Sequence, residues 1–166
     1  MTAWAFENVT NPWLVRLHVD VPLTDQTIVR CPPAAAPAPL DRLLQVNGVR
    51  AIDLHRYRVR VNLAYGVSRS AAARTGSAFL QGHWGEPTTL PDRERPRAFQ
   101  VSRTGPRKVA ESLAMAGDDV LLRALFGVDG VEEVVAADGV ALVTLGRFFH
   151  WADREAAVSE AIESVR

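Results

Sequence analysis

The sequence has 166 residues, 48% of them apolar, and its 19 Lys and Arg balance 19 Asp and Glu, so it can bury a core either as one domain or as two small ones. Apolar runs stay far short of the roughly 20 residues that span a bilayer, and the N-terminus, with Glu7, lacks the basic and apolar regions of an export signal, which leads us to expect a cytoplasmic protein. Cys31 stands alone, which excludes an intrachain disulfide and a Cys-pair metal site, and the charge is uneven: residues 1–83 hold 9 Arg against 5 acids, and residues 84–166 hold 10 basic against 14 acidic residues. Halves of opposite charge attract each other or different partners, although exposed charge is also ordinary solvated surface.

In chain order, residues 11–32 read as a hairpin, with Val15, Leu17, Val19 and Val21 inward and Arg16, His18 and Asp20 outward. Leu40, Leu43 and Leu44 form the apolar stripe of a helix, with Pro39 at its start and Asn47-Gly48 at its end. Two strands follow, burying Ile52, Leu54, Val59, Val61 and Leu63 and leaving Asp53, His55, Arg58, Arg60 and Asn62 wet. Residues 68–82 read as a weaker helix interrupted by Gly76, and residues 82–95, rich in Pro, Gly and charge, as a linker. Residues 95–115 read as a second hairpin, with Phe99 and Val101 inward and a turn at Thr104-Gly105-Pro106. Leu122, Leu125 and Phe126 mark a helix capped by Asp118 or Asp119 and ended by Asp129-Gly130. After two more strands, Trp151, Val158, Ile162 and Val165 mark a closing amphipathic helix.

The second half repeats the first at an offset of 82. Leu40 falls on Leu122, Leu43 on Leu125, Val46 on Val128, Gly48 on Gly130, Val49 on Val131, Val61 on Val143 and Leu63 on Leu145. We therefore expect an α+β fold of two tandem β-β-α-β-β-α units, each a four-stranded sheet with two helices on one face, over residues 1–81 and 96–166.

"VTNPWLVRL" at 9–17, "LLQVNGV" and "LFGVDGV" at the glycine turns, and "FFHWADREAAVSEAIESV" at 148–165 resemble the N-terminal domain of Nfu/NifU-type iron-sulfur scaffold proteins. In that family the cluster is held by a separate C-terminal domain with a Cys-x-x-Cys pair. No Cys-x-x-Cys occurs here, so the resemblance implies a role in cluster assembly or delivery without cluster-holding residues. The opening motif shrinks to Pro96 in the second copy.

The residues themselves offer little chemistry. A hairpin would set His18 opposite Cys31, but strand alternation points Cys31 into the core, as a buried and inert thiol. His83 and His150 lack a second ligand at metal spacing; Ser68, Ser70, Asp118-Asp119 and Glu132-Glu133 lack a base, a cradle or a nucleophile motif. No catalytic, cofactor-binding or metal residue is assigned, and no cofactor is expected. The outer face of the first sheet gathers Arg16, His18, Arg30, His55, Arg58 and Arg60, a basic face on which only Tyr57 offers the stacking aromatic that RNA-binding sheets use. The equivalent face of the second gathers Val135, Val140, Leu142 and Thr144, an apolar surface that wants a cover. The expectation is a non-enzymatic module that binds a protein partner or itself, and neither membrane nor nucleic acid. Its rivals are a metal or cluster carrier using Cys31 and a histidine across a dimer, and an enzyme with a site at the domain junction near His83 and Trp84.

Overall fold

Period-2 alternation sets the strands of the computed structural model, which describes residues 1–166 and is α+β with two four-stranded antiparallel sheets. The first comprises β1 (Trp4–Asn8), β2 (Leu14–Val19), β3 (Val49–Leu54) and β4 (Arg58–Leu63), in the order β1-β2-β4-β3. Val15, Leu17, Val19, Ile52, Leu54, Val59 and Val61 line one face and are buried. A short 3₁₀ helix (Leu40–Gln45) and α1 (Arg69–Trp84) supply Leu40, Leu43, Ala72 and Leu80 to the same core. The second sheet comprises β5 (Arg97–Gln100), β6 (Lys108–Ala110), β7 (Val131–Ala137) and β8 (Val140–Leu145), in the order β5-β8-β7-β6. A short α2 (Leu113–Ala116) precedes α3 (Val120–Gly127), and α3 and α4 (Trp151–Glu163) bring Leu122, Leu125, Phe126, Trp151, Val158 and Ile162 to its core.

Several expectations need correction. Residues 11–32 and 95–115 are not hairpins. β5 and β6 lie at opposite edges of their sheet, and the segment expected as the second strand, residues 27–31, keeps only a bridge from Ile28 to Leu54 beside β3. Pro22 and Pro32 bracket that stretch and withhold ladder donors. The fourth strand of the first sheet is β1, which pairs with β2 from Trp4 opposite Val19 to Asn8 opposite Val15. The first apolar stripe forms a 3₁₀ helix rather than an α-helix. Gly76 does not interrupt α1; a Cβ there would meet Leu43 at 3.1 Å and the Phe6 ring at 3.2 Å, so its bareness admits both side chains. Ser68 caps α1, accepting from the Ala71 amide, and Asp119 caps α3, accepting from the Leu122 amide.

The offset of 82 carries into the backbone. Gly48 and Gly130 take φ of +86° and +96°, where an L side chain is strained, and their missing Cβ atoms make room for Val67 and Phe149, which are themselves 82 residues apart. The amides of Ala64 and Gly146 donate to the carbonyls of Gly48 and Gly130 at 2.8 and 2.9 Å. A register shift sits at Val49/Ala51 in one sheet and at Val131/Glu133 in the other. Each glycine is thus a latch between the turn before β3 or β7 and the segment that enters the last helix.

Candidate functional site

The turn between β3 and β4 carries Arg56 and Tyr57, and both reach into the second unit. Tyr57 is 0% exposed and belongs to the second core. Its ring meets Phe149 edge-on at 4.8 Å, its hydroxyl donates to Asp129 Oδ1 at 2.7 Å, and it accepts from the Gly130 amide at 2.9 Å. Gly146 leaves the room, since a Cβ there would stand 3.1 Å from Tyr57. Arg56 donates to the Phe126 carbonyl and lies over the Tyr57 and Phe126 rings.

This docking closes much of the first sheet's outer face. Arg16, His18, Arg58 and Arg60 stand on it, on β2 and β4. His55 enters at the turn, whereas Arg30 lies off the sheet, in a loop with φ of +51° held by its amide donating to Asp53 Oδ1 at 2.8 Å. The face is not an open basic patch, because acids of both units neutralise it. Glu7 lies between His18, Arg16 and Arg147, with Arg147 Nη1 at 2.8 Å; Arg58 approaches Glu132 at 3.7 Å, and His55 approaches Glu111 at 3.4 Å. His18 is 3% exposed. Burial drives its pKa from 6.5 down to about 4 against the pull of Glu7, so the neutral ring donates from Nε2 to Glu7 Oε2 at 2.8 Å. Burial alone would raise the Glu7 carboxyl, but His18, Arg147 and Arg16 lower it. Burial raises the Glu132 carboxyl despite Arg58, and it depresses His55 with help from Arg58. The pairs of His55 with Glu111, Arg58 with Glu132 and Arg147 with Glu7 tie the units together, and Glu7 and Arg16 also line a cavity of about 390 Å³.

The largest pocket, about 920 Å³, opens elsewhere, between Trp13, Arg30, Cys31, Arg50 and Asn62 on the β3 side of the first sheet. Asp53 at its floor is already engaged by the Arg30 amide and the Asn62 side chain. Cys31 is 3% exposed and packs in the first core, where burial raises its thiol pKa. A buried neutral thiol does not present a ligand across a dimer, which the carrier reading requires. His18 is not opposite Cys31, since β2 pairs with β1 and β4. His83 is exposed at the end of α1, and His150 precedes α4 beside Glu94, which accepts from the Trp151 amide at 2.7 Å and so caps that helix. No three His, Cys, Asp or Glu side chains converge at metal distance.

The second sheet presents a different outer face. Ala98, Leu142, Val135 and Val109 stand in one row across β5, β8, β7 and β6. Leu142 is 39% exposed and Val109, Val135 and Val140 are half-buried, while Thr144, nearer the first unit, is buried. No helix is long and apolar enough to cross a membrane. Sequence reasoning missed Tyr57 and Arg56 as the joint between units; the signal was two large side chains where the repeat places Asp138 and Gly139. Compared with known proteins, the chain matches no family model, no curated protein and no solved structure.

Proposed function

We propose that the chain is a non-enzymatic protein-binding module, and that the partner docks on the outer face of the second sheet. One observation carries the reading: the two sheets have equivalent outer faces, and the first is paired with acids of both units while the second presents apolar side chains to solvent. Arg58 and His55 meet Glu132 and Glu111 across the units, whereas the Ala98-Leu142-Val135-Val109 row is exposed at Ala98 and Leu142 and half-buried at Val135 and Val109. An apolar row of this kind gains free energy when a partner covers it. The tandem β-β-α-β-β-α reading and the resemblance to the Nfu/NifU N-terminal domain support a partner from iron-sulfur cluster assembly or delivery, with the cluster held by that partner and not by this chain.

The test is titration calorimetry against a purified iron-sulfur scaffold carrying a Cys-x-x-Cys domain, with Leu142→Asp beside the parent. We expect saturable binding that weakens at least tenfold in the variant, at an unchanged melting temperature. Binding that ignores Leu142→Asp refutes the face, and no binding to any such scaffold refutes the iron-sulfur assignment.

A further inference from the structure

We infer that the outer edge of β5 is an acceptor for an extended strand of a partner protein, with a side-chain pocket at one end that selects an aromatic anchor. The inference deepens the protein-binding reading by naming the partner's conformation and its anchor.

The first unit supplies the precedent. β2 and β5 are equivalent: Val15, Arg16, Leu17 and His18 pair with Val61, Arg60, Val59 and Arg58, and 82 residues later Arg97, Ala98, Phe99 and Gln100 pair with Val143, Leu142, Ala141 and Val140. On its other side β2 receives β1, whereas β5 pairs with β8 alone. The Val101 amide donates inward to the Gly139 carbonyl, so by strand alternation Ala98 and Gln100 turn their backbone groups to the outside, and both are exposed. That is the geometry of strand addition, where main-chain bonds give affinity and alternate side chains give specificity.

The anchor site is also duplicated. Trp4 of β1 lies opposite Val19 and 6.5 Å from Trp84. The equivalents of Val19 and Trp84 are Val101 and Arg166, and they line a pocket of about 270 Å³ together with Leu121, Ile162 and Val165, with the Arg103–Asp119 ion pair on its wall. That volume is several times the ~30 Å³ of a water molecule in the liquid. By the 82-residue equivalence of Val19, Leu80 and Trp84 with Val101, Ile162 and Arg166, it corresponds to the place of Trp4. The neighbouring position differs, because Gly76, which admits the Phe6 ring, is replaced by buried Val158. A guest strand therefore carries an aromatic residue at the Trp4 position and a small one at the Phe6 position.

β5 has only four residues, and its Gln100 carbonyl accepts from the Arg166 guanidinium at 3.1 Å, a bond that an incoming strand replaces with its own amide. β5 carries no aromatic that reaches the pocket of a facing copy in this register, so a foreign segment with its own anchor is favoured.

The probe is a synthetic peptide of residues 1–10 carrying Phe6→Ala, titrated into isotope-labelled full-length protein and followed by NMR. We expect amide shifts at Ala98, Gln100 and Val101 and methyl shifts at Ile162 and Val165. Replacing Trp4 by Ala in the peptide should weaken binding at least tenfold. So should Ala98→Pro in the protein, which deletes an outward N–H that the fold does not use, and Val165→Glu, which replaces an apolar wall of the pocket by a carboxylate. Shifts confined to β2 and α1, no shifts at millimolar peptide, or dimerisation of the parent that Ala98→Pro abolishes would each overturn the inference. None of these measurements uses the scaffold partner of the previous section, so the edge and the Leu142 face stand or fall separately.

Discussion

Removing the Tyr57 ring tests whether the two units form one cooperative structure. The ring is 0% exposed and fills space in the core of the other unit, beside Phe149 and over Gly146. Truncating a buried aromatic to Ala costs about 3–5 kcal/mol. Tyr57→Ala also strips the Gly130 amide of its acceptor, a loss on the order of 1–3 kcal/mol; Tyr57→Phe keeps the ring and removes this bond together with the donation to Asp129. Against a total of roughly 5–15 kcal/mol for a natural domain, the Ala variant removes a large share. The assay is urea unfolding followed by tryptophan fluorescence and far-UV circular dichroism. Trp4, Trp13 and Trp84 lie in the first unit and Trp151 in the second, so fluorescence weights the first, while dichroism weighs both. In the parent the two curves should coincide; in Tyr57→Ala they should separate, with dichroism losing part of its signal at lower urea. A Tyr57→Ala protein within about 1 kcal/mol of the parent, with coincident curves, would refute the joint.

Acid should loosen the fold through His18. Its folded pKa, about 4, lies below the free value of 6.5, so the neutral ring contributes stability above pH 6.5 that drains away as the pH falls from 6.5 to about 4. The contribution is on the order of 2–3 kcal/mol, and His18→Gln should flatten the drop in urea midpoint between pH 7 and pH 4.5. Glu132, raised by burial, acts with the opposite sign over the acid range, so a His18→Gln protein whose drop equals the parent's would show that other groups control the limb. Gly130→Ala should lower the melting temperature more than Gly66→Ala. Both glycines have positive φ, but a Cβ at Gly130 would press into the Phe149 ring at 2.6 Å while one at Gly66 meets nothing within 4 Å; equal losses in thermal melts would mean that backbone strain alone matters.

The α+β class and the four strands after the two glycine turns were legible because their apolar residues alternate over five or six positions and recur at a fixed offset. Gly48 and Gly130 were legible for a physical reason, since a positive φ favours glycine. β1 was not, although Trp4 and Phe6 alternate with Ala5 and Glu7, because four residues of pattern near a terminus are a weak signal. The hairpins failed because period-2 patterns identify strands and not their neighbours; nothing local tells β6 to cross to the far edge of its sheet. On the outer faces, alternation placed Arg16, His18, Arg58 and Arg60 together but could not reveal that Glu111 and Glu132, far along the chain, would meet that face. The joint was written as an exception to the repeat, and exceptions carry no period.

Tyr57 also gives the pair of units a direction. Its counterpart 82 residues on is Gly139, in a two-residue turn with Asp138 at φ of +45°, and Gly139 has no ring to lend. The contact is therefore head-to-tail: one unit inserts and the other receives. Repeated head-to-tail contacts that do not close into a ring grow into filaments. Here the receiving unit offers only a bare turn at the corresponding site, so the series terminates after one step. A Gly139→Tyr exchange would not restore the series by itself, because the receiving side also needs the space that Gly146 provides and that Ala64 fills in the first unit. Two unequal copies, one with a plug and one with a socket, thus make a closed pair without any symmetry.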